Sequence, residues 1–173
     1  MPRHPRQKTE GMLKTTPISY FFDSGLRFAC QRCGVCCTGT PGVIRVSTGE
    51  IETIAAFLEI TPERFTRDYL IDLEGGWSIG EHTDGRCRFY ADGCRIYPVR
   101  PRQCRSYPFW FNILRSERSW QREGRQCAGI GRGRFYSREE ILDLVARDMD
   151  SRLMSGGVEN EYPIINKDYP MSM

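Results

Sequence analysis

Eight cysteines carry most of the chemistry available to this 173-residue chain. Four fall in one run, Cys30-x2-Cys33-x2-Cys36-Cys37; Cys87-x6-Cys94-x9-Cys104 follows, with Cys127 beyond. Two residues between thiols let a tight turn aim both sulfurs at one ion, about 2.3 Å away for zinc. A third thiol after two more residues resembles the opening of a bacterial ferredoxin run, which grips one iron–sulfur cubane. Gly34 stands where such a turn needs a positive φ. Free buried thiols seldom cluster this tightly, so metal ligation is the first reading.

Cys36 and Cys37 are neighbours, and neighbouring side chains of an extended chain point to opposite sides. The pair is therefore expected to serve two nearby sites, or to divide into one ligand and one core or redox thiol. The downstream thiols are held by Asp92-Gly93, a turn pair, and by Pro98 and Pro101. Four upstream and four downstream cysteines make two four-coordinate sites. No export signal is visible between Met1 and Glu10, which is polar and basic. That places the chain in a reducing, cytoplasmic setting where disulfides are disfavoured; the disulfide reading survives only with an export route that leaves no such signal.

The combination Phe28-Ala-Cys-Gln-Arg-Cys-Gly-Val-Cys-Cys37, Cys94-Arg-Ile-Tyr-Pro-Val-Arg-Pro101, Cys104-Arg-Ser-Tyr-Pro-Phe109 and Cys127-Ala-Gly-Ile-Gly131 closely resembles the CxxCxxCC family, the YkgJ-type zinc- or iron-chelating cysteine cluster proteins. The resemblance covers about residues 26–133 and all eight cysteines. It implies a metal or iron–sulfur site with Cys30, Cys33, Cys36, Cys37, Cys87, Cys94, Cys104 and Cys127 as ligands, and leaves the metal open. Flagellin lysine methylases carry the same type of motif, but this chain is short for such an enzyme. A metal-binding or redox accessory protein is expected rather than a self-contained enzyme.

Between iron–sulfur and zinc, the run and its adjacent thiols favour iron–sulfur, although all-thiolate sites suit both. His82, five residues before Cys87, could ligate, but a surface loop is the plainer reading; His4 lies in a polar leader. No phosphate-binding GxxxxGK[ST] occurs, and Gly129-Ile-Gly131-Arg-Gly133 follows no convincing strand.

Charge is uneven. Residues 86–138 hold thirteen arginines, no lysine and three acids, a local +10 inside a chain of net 25 − 22 = +3. Arg88, Arg95 and Arg105, beside the downstream cysteines, are expected to stabilise thiolates. The alternative is an arginine-rich nucleic-acid-binding module with structural zinc, stacking bases on Tyr90, Tyr97, Tyr107, Phe109, Trp110 and Trp120. These aromatics are better read as core, since the region has few aliphatics. A protein partner is open, and no apolar stretch approaches the ~20 residues of a membrane helix.

The elements that position these groups are short. Residues 18–22 and 26–29 read as strands around a turn at Asp23-Ser-Gly25, and Val43–Val46 as an extended piece. Ser47-Thr-Gly-Glu50 is a capping box before Ile51, Ile54, Ala55 and Leu58. Thr61-Pro62 starts a second helix, ended by Glu74-Gly-Gly76. Strand-like pieces are expected at 77–79, 86–90 and 109–113. Ser137-Arg-Glu-Glu140 caps a last helix, stopped at Gly156-Gly157. The fold expected is a small single α+β domain with short strands, about three helices and irregular metal-stapled loops. It spans 17–157, between a disordered leader at 1–16 and an irregular tail at 158–173.

Overall fold

A computed structural model describes residues 18–39, 42–73 and 76–153. The leader, the Gly156-Gly157 stop and the 158–173 tail lie outside them. The fold is a small mixed α+β domain in two lobes, each with its own antiparallel sheet and apolar core.

The first lobe joins the two ends of the described chain. Strand β1 (Leu26–Phe28) pairs with β5 (Arg134–Tyr136), Leu26 opposite Tyr136. Residues 18–22 are not the strand expected. The Asp23 carboxylate accepts from the Ser19 hydroxyl and the Tyr20 amide, both at 3.0 Å, and folds the segment into a turn. Such local side-chain bonds compete with strand pairing. The turn sends Phe22 inward and stacks it on Tyr20 at 4.9 Å. Helix α7 (Arg138–Leu153) starts at the anticipated capping box, with Ser137 and Glu140 bonding each other's backbone amides. Arg138 closes the lobe by bonding Asp23 at 2.9 Å.

Three further helices fill this lobe: α4 (Arg102–Ser106), α5 (Phe111–Leu114) and α6 (Glu117–Gly124). The strand expected at 109–113 is overturned, because a helical turn is what sends Ile113 and Leu114 together into the core. Helix α6 went unanticipated; Ser116 caps it by accepting from the Ser119 amide at 3.1 Å, and Trp120 is its buried anchor. Phe109 stacks on Trp120 and meets Phe28 edge-on, the offset geometry aromatic rings prefer.

The second lobe is built from residues closer in sequence. Strands β2 (Arg45–Val46), β3 (Leu70–Leu73) and β4 (Gly76–Ile79) form a sheet in the order β2-β4-β3. Helix α2 (Thr48–Phe57) begins at the Ser47–Glu50 capping box, both halves of which are present. Helix α3 (Pro62–Tyr69) begins at Thr61-Pro62. It stops at Tyr69 rather than at Glu74, because Leu70 and its successors pair with β4, Leu70 opposite Ile79. Phe65, fully buried, stacks on Phe89 and Tyr69 at the centre of this core. Residues 86–90 form no strand; isolated bridges at Cys87 and Tyr90 and single backbone bonds such as Arg88 to Gly80 hold them.

Gln103 ties the lobes together. It sits on α4, 9 % exposed, accepts from the Arg45 amide at 2.9 Å and donates to the Val43 carbonyl at 2.8 Å. Its own carbonyl accepts from the Trp110 indole at 2.9 Å. A side chain that keeps the volume but not the polarity strands two backbone groups of β2 and its approach. Gln103→Leu is therefore expected to lower unfolding free energy by about 1–3 kcal/mol, read as a reduced midpoint in urea with little change in far-ultraviolet dichroism.

Candidate metal centre

Four backbone junctions bring the cysteines together. The Ala29 amide donates to the Gly129 carbonyl at 3.2 Å, setting the Cys30 and Cys127 segments side by side. The Cys87 amide donates to the Cys37 carbonyl at 2.9 Å. Tyr90 bridges back to Cys94 across a turn in which Asp92 adopts φ 51 and Gly93 φ 143. Pro101 then leads into α4, which carries Cys104.

Helix α1 (Val35–Thr38) is one turn after Gly34, whose φ of 79 meets the sequence expectation. A Cβ at position 34 would collide with the Tyr90 ring, so the position demands glycine for space as well as for φ. The turn corrects the premise that Cys36 and Cys37 point apart. Their backbone is helical, not extended, and the two sulfurs stand 3.8 Å from each other.

All eight cysteines line one cavity of about 480 Å³. It lies at the seam of the lobes: Phe28 and Tyr107 reach it from the first core, Phe89 and Ile96 from the second. Cys30, Cys33 and Cys36 are exposed, Cys37, Cys87, Cys94 and Cys104 half-buried, and Cys127 buried. Among the described residues, no three His, Cys, Asp or Glu side chains stand in a metal-binding grouping. What the thiols share is the cavity. His82 is exposed and lies outside its lining.

The charges inside the cavity are coupled. The Cys36–Cys37 hydrogen bond lowers the Cys36 thiol to about 7 and raises Cys37. Between the two, the pairing favours ionisation at Cys36, the more exposed member, and opposes it at Cys37. Burial raises Cys87, Cys94 and Cys104, with the neighbouring thiols adding to the effect. Arg100 is the cation that opposes this at Cys36, Cys94 and Cys104.

The arginines named from sequence mostly do other things. Arg88 donates to the Asp68 carbonyl, and Arg95 is exposed and outside the lining. Arg105 does line the cavity, donating to the Arg100 carbonyl at 2.9 Å. Sequence reasoning also missed a polar trio: the Tyr107 hydroxyl donates to Glu123 at 2.6 Å, beside Cys127. Burial and these two partners raise the Tyr107 hydroxyl. The Arg100 signal lay in the Pro98-Val-Arg-Pro101 segment, where two prolines fix the backbone around it.

The fold and the seam define a small α+β protein organised around a cysteine-rich pocket whose soft donor set fits zinc or iron. The chain belongs to the CxxCxxCC family, whose model, described as "Putative zinc- or iron-chelating domain", matches residues 29–128. The uncharacterized protein MJ0661 of Methanocaldococcus jannaschii is 28 % identical over 102 residues, covering 57 % of this chain and 54 % of that protein. The chain thus spans about half the length of this curated relative. No solved structure matches. Among the described residues, no helix is long and apolar enough to cross a membrane.

Thiolate, not thiol, is the nucleophile. With its thiol lowered to about 7, Cys36 in metal-free protein is about half ionised at neutral pH, more above it and less below. Iodoacetamide at pH 7 is expected to label Cys36 well ahead of Cys37 and Cys104, by peptide mass spectrometry. Its rate should rise through pH 7 and level off in the alkaline range.

Proposed function

We propose that this chain is a metal-binding protein that holds an iron–sulfur centre or zinc within the seam cavity. The observation that carries this is the convergence of all eight cysteines, from four stretches of chain, on one cavity. All eight, Cys30, Cys33, Cys36, Cys37, Cys87, Cys94, Cys104 and Cys127, are the ligand candidates, since each lines it. Cys33 lies in the same loop as Cys30, and Cys127 faces the cavity from beside Tyr107 and Glu123.

An iron–sulfur centre is the preferred occupant. More than four thiols around one cavity, two of them in contact, suit a multinuclear group better than a single four-coordinate ion. Such a group would supply one-electron chemistry; zinc closed by four thiolates would supply structure. Arg100 offsets the negative charge that thiolate ligation leaves, and the apolar walls of both cores limit water. The function is then that of an accessory or redox protein of a reducing compartment, the physiological reaction being open.

The nucleic-acid reading finds less support, because five of its six stacking residues are committed within the fold. Tyr107, Phe109 and Trp120 are core, Trp110 bonds Gln103, and Tyr90 packs on Gly34.

Anaerobic purification with metal and acid-labile sulfide analysis tests the proposal. Iron with sulfide and a brown colour is expected; zinc without sulfide would move the reading to a structural site. Absence of both metals from protein purified under metal-replete conditions would overturn it. Cys30→Ser, Cys36→Ser and Cys94→Ser should each lower bound metal sharply. Because ligand binding to the folded state adds to folding free energy, chelation should lower the thermal midpoint and loosen both lobes at the seam, read by amide hydrogen exchange around residues 30–37 and 87–104.

A further inference from the structure

The seam cavity extends past the thiols to a second chemical feature. Arg32 and Arg100 come from different lobes of the chain, yet both set a guanidinium against the Tyr97 ring, at 4.3 and 3.9 Å from its centroid. All three residues line the cavity. Arg32 holds φ 54, a backbone region that side chains other than glycine rarely occupy. Strain of this kind persists where the surroundings enforce it, and it gathers at binding sites.

Among the described residues, neither guanidinium is in an ion pair. Arg100 donates one nitrogen to the Tyr97 carbonyl at 2.6 Å, which fixes the direction of its fork. The cavity, at about 480 Å³, falls in the range of small-molecule sites and exceeds what an ion fills. Its further walls include Trp110, Tyr107 and Ile113.

We infer that Arg32 and Arg100, ordered by Tyr97, form a binding site for the oxyanion of a small organic molecule, a carboxylate or a phosphate, whose apolar part lies along Trp110 and Tyr107. A planar guanidinium matches both anions bidentately. Two such groups stacked on one ring lose little freedom on binding. The site goes beyond the metal proposal and does not require it: its anchoring residues are guanidinium groups and a ring, not thiols, though they line the same cavity.

Calorimetric titration of the full-length protein, as purified, with benzoate and with phenyl phosphate tests this. Saturable binding of one or both is expected, and their ratio distinguishes carboxylate from phosphate. Arg32→Gln and Arg100→Gln should each weaken it by about tenfold or more, as loss of a charge-assisted bond does. Arg32→Lys, which keeps the charge but not the fork, should also weaken it. Arg64→Gln, on the far side of α3, should leave it unchanged. Metal content of each variant is measured alongside. Protein purified under metal-replete conditions that lacks metal yet binds the anion would leave this inference standing while the metal reading falls. Failure of the wild type to bind either probe, or equal binding by wild type and both Gln variants, would overturn the inference.

Discussion

Two small apolar cores have to meet across a surface that neither can seal, and the rest of the structure depends on how that seam is held. Around the seam the chain is broken repeatedly by proline, glycine and tight turns, so no long helix or broad sheet spans both lobes. Among the described residues, polar links cross the seam. Gln103 is the principal one, buried and bonded to backbone on the opposite lobe; Glu50 adds a second by accepting from the Arg102 amide. A polar link between cores is effective only when fully bonded, since each buried group left alone carries its whole desolvation penalty. The cysteines lie along the same line, so any ion they hold bonds one lobe to the other.

That arrangement creates an electrostatic difficulty as well. Half-buried thiols resist ionisation, and each thiolate formed makes the next harder. The structure answers with the hydrogen bond between Cys36 and Cys37, which lets one of the two ionise easily, and with Arg100, placed by its prolines to face three of the cysteines. Arg100 in turn lies on Tyr97, as does Arg32. The positive charge is thus held by stacking and backbone bonds rather than by a carboxylate that would cancel it.

Much of this was legible from sequence where the signal was local. The capping boxes at Ser47 and Ser137 and the Thr61-Pro62 start name their helices correctly because a cap needs only residues within one turn. The positive φ at Gly34 was legible for the same reason. Segments decided by distant partners were not. Residues 18–22 have strand-like composition, but Asp23 bends them; Leu70 reads as the end of a helix until β4 is there to pair with it; Phe111–Leu114 take the helical period that the core asks for. The cysteines could be counted and spaced, yet the helical turn that faces Cys36 toward Cys37 belongs to the fold. Likewise, proximity in sequence pointed to Arg88 and Arg95, while the arginine that acts on the thiols is one that Pro98 and Pro101 deliver.

The β1–β5 pairing has a bearing on assembly of the chain. Arg27 donates to the Gly133 carbonyl, 106 positions away, while the second lobe draws its sheet and core from a single continuous stretch. During synthesis that stretch has all its partners once Phe89 and Ile96 have emerged. Strand β1 must wait, unpaired, until residues 134–136 are made. The upstream cysteine run follows β1 directly but is also bonded to the second lobe through Cys37 and Cys87, so its placement draws on both an early and a late set of contacts. Until β5 emerges the first lobe cannot pair its β1 edge, and the upstream thiols can be held only from the second-lobe side, through the Cys37–Cys87 backbone bond.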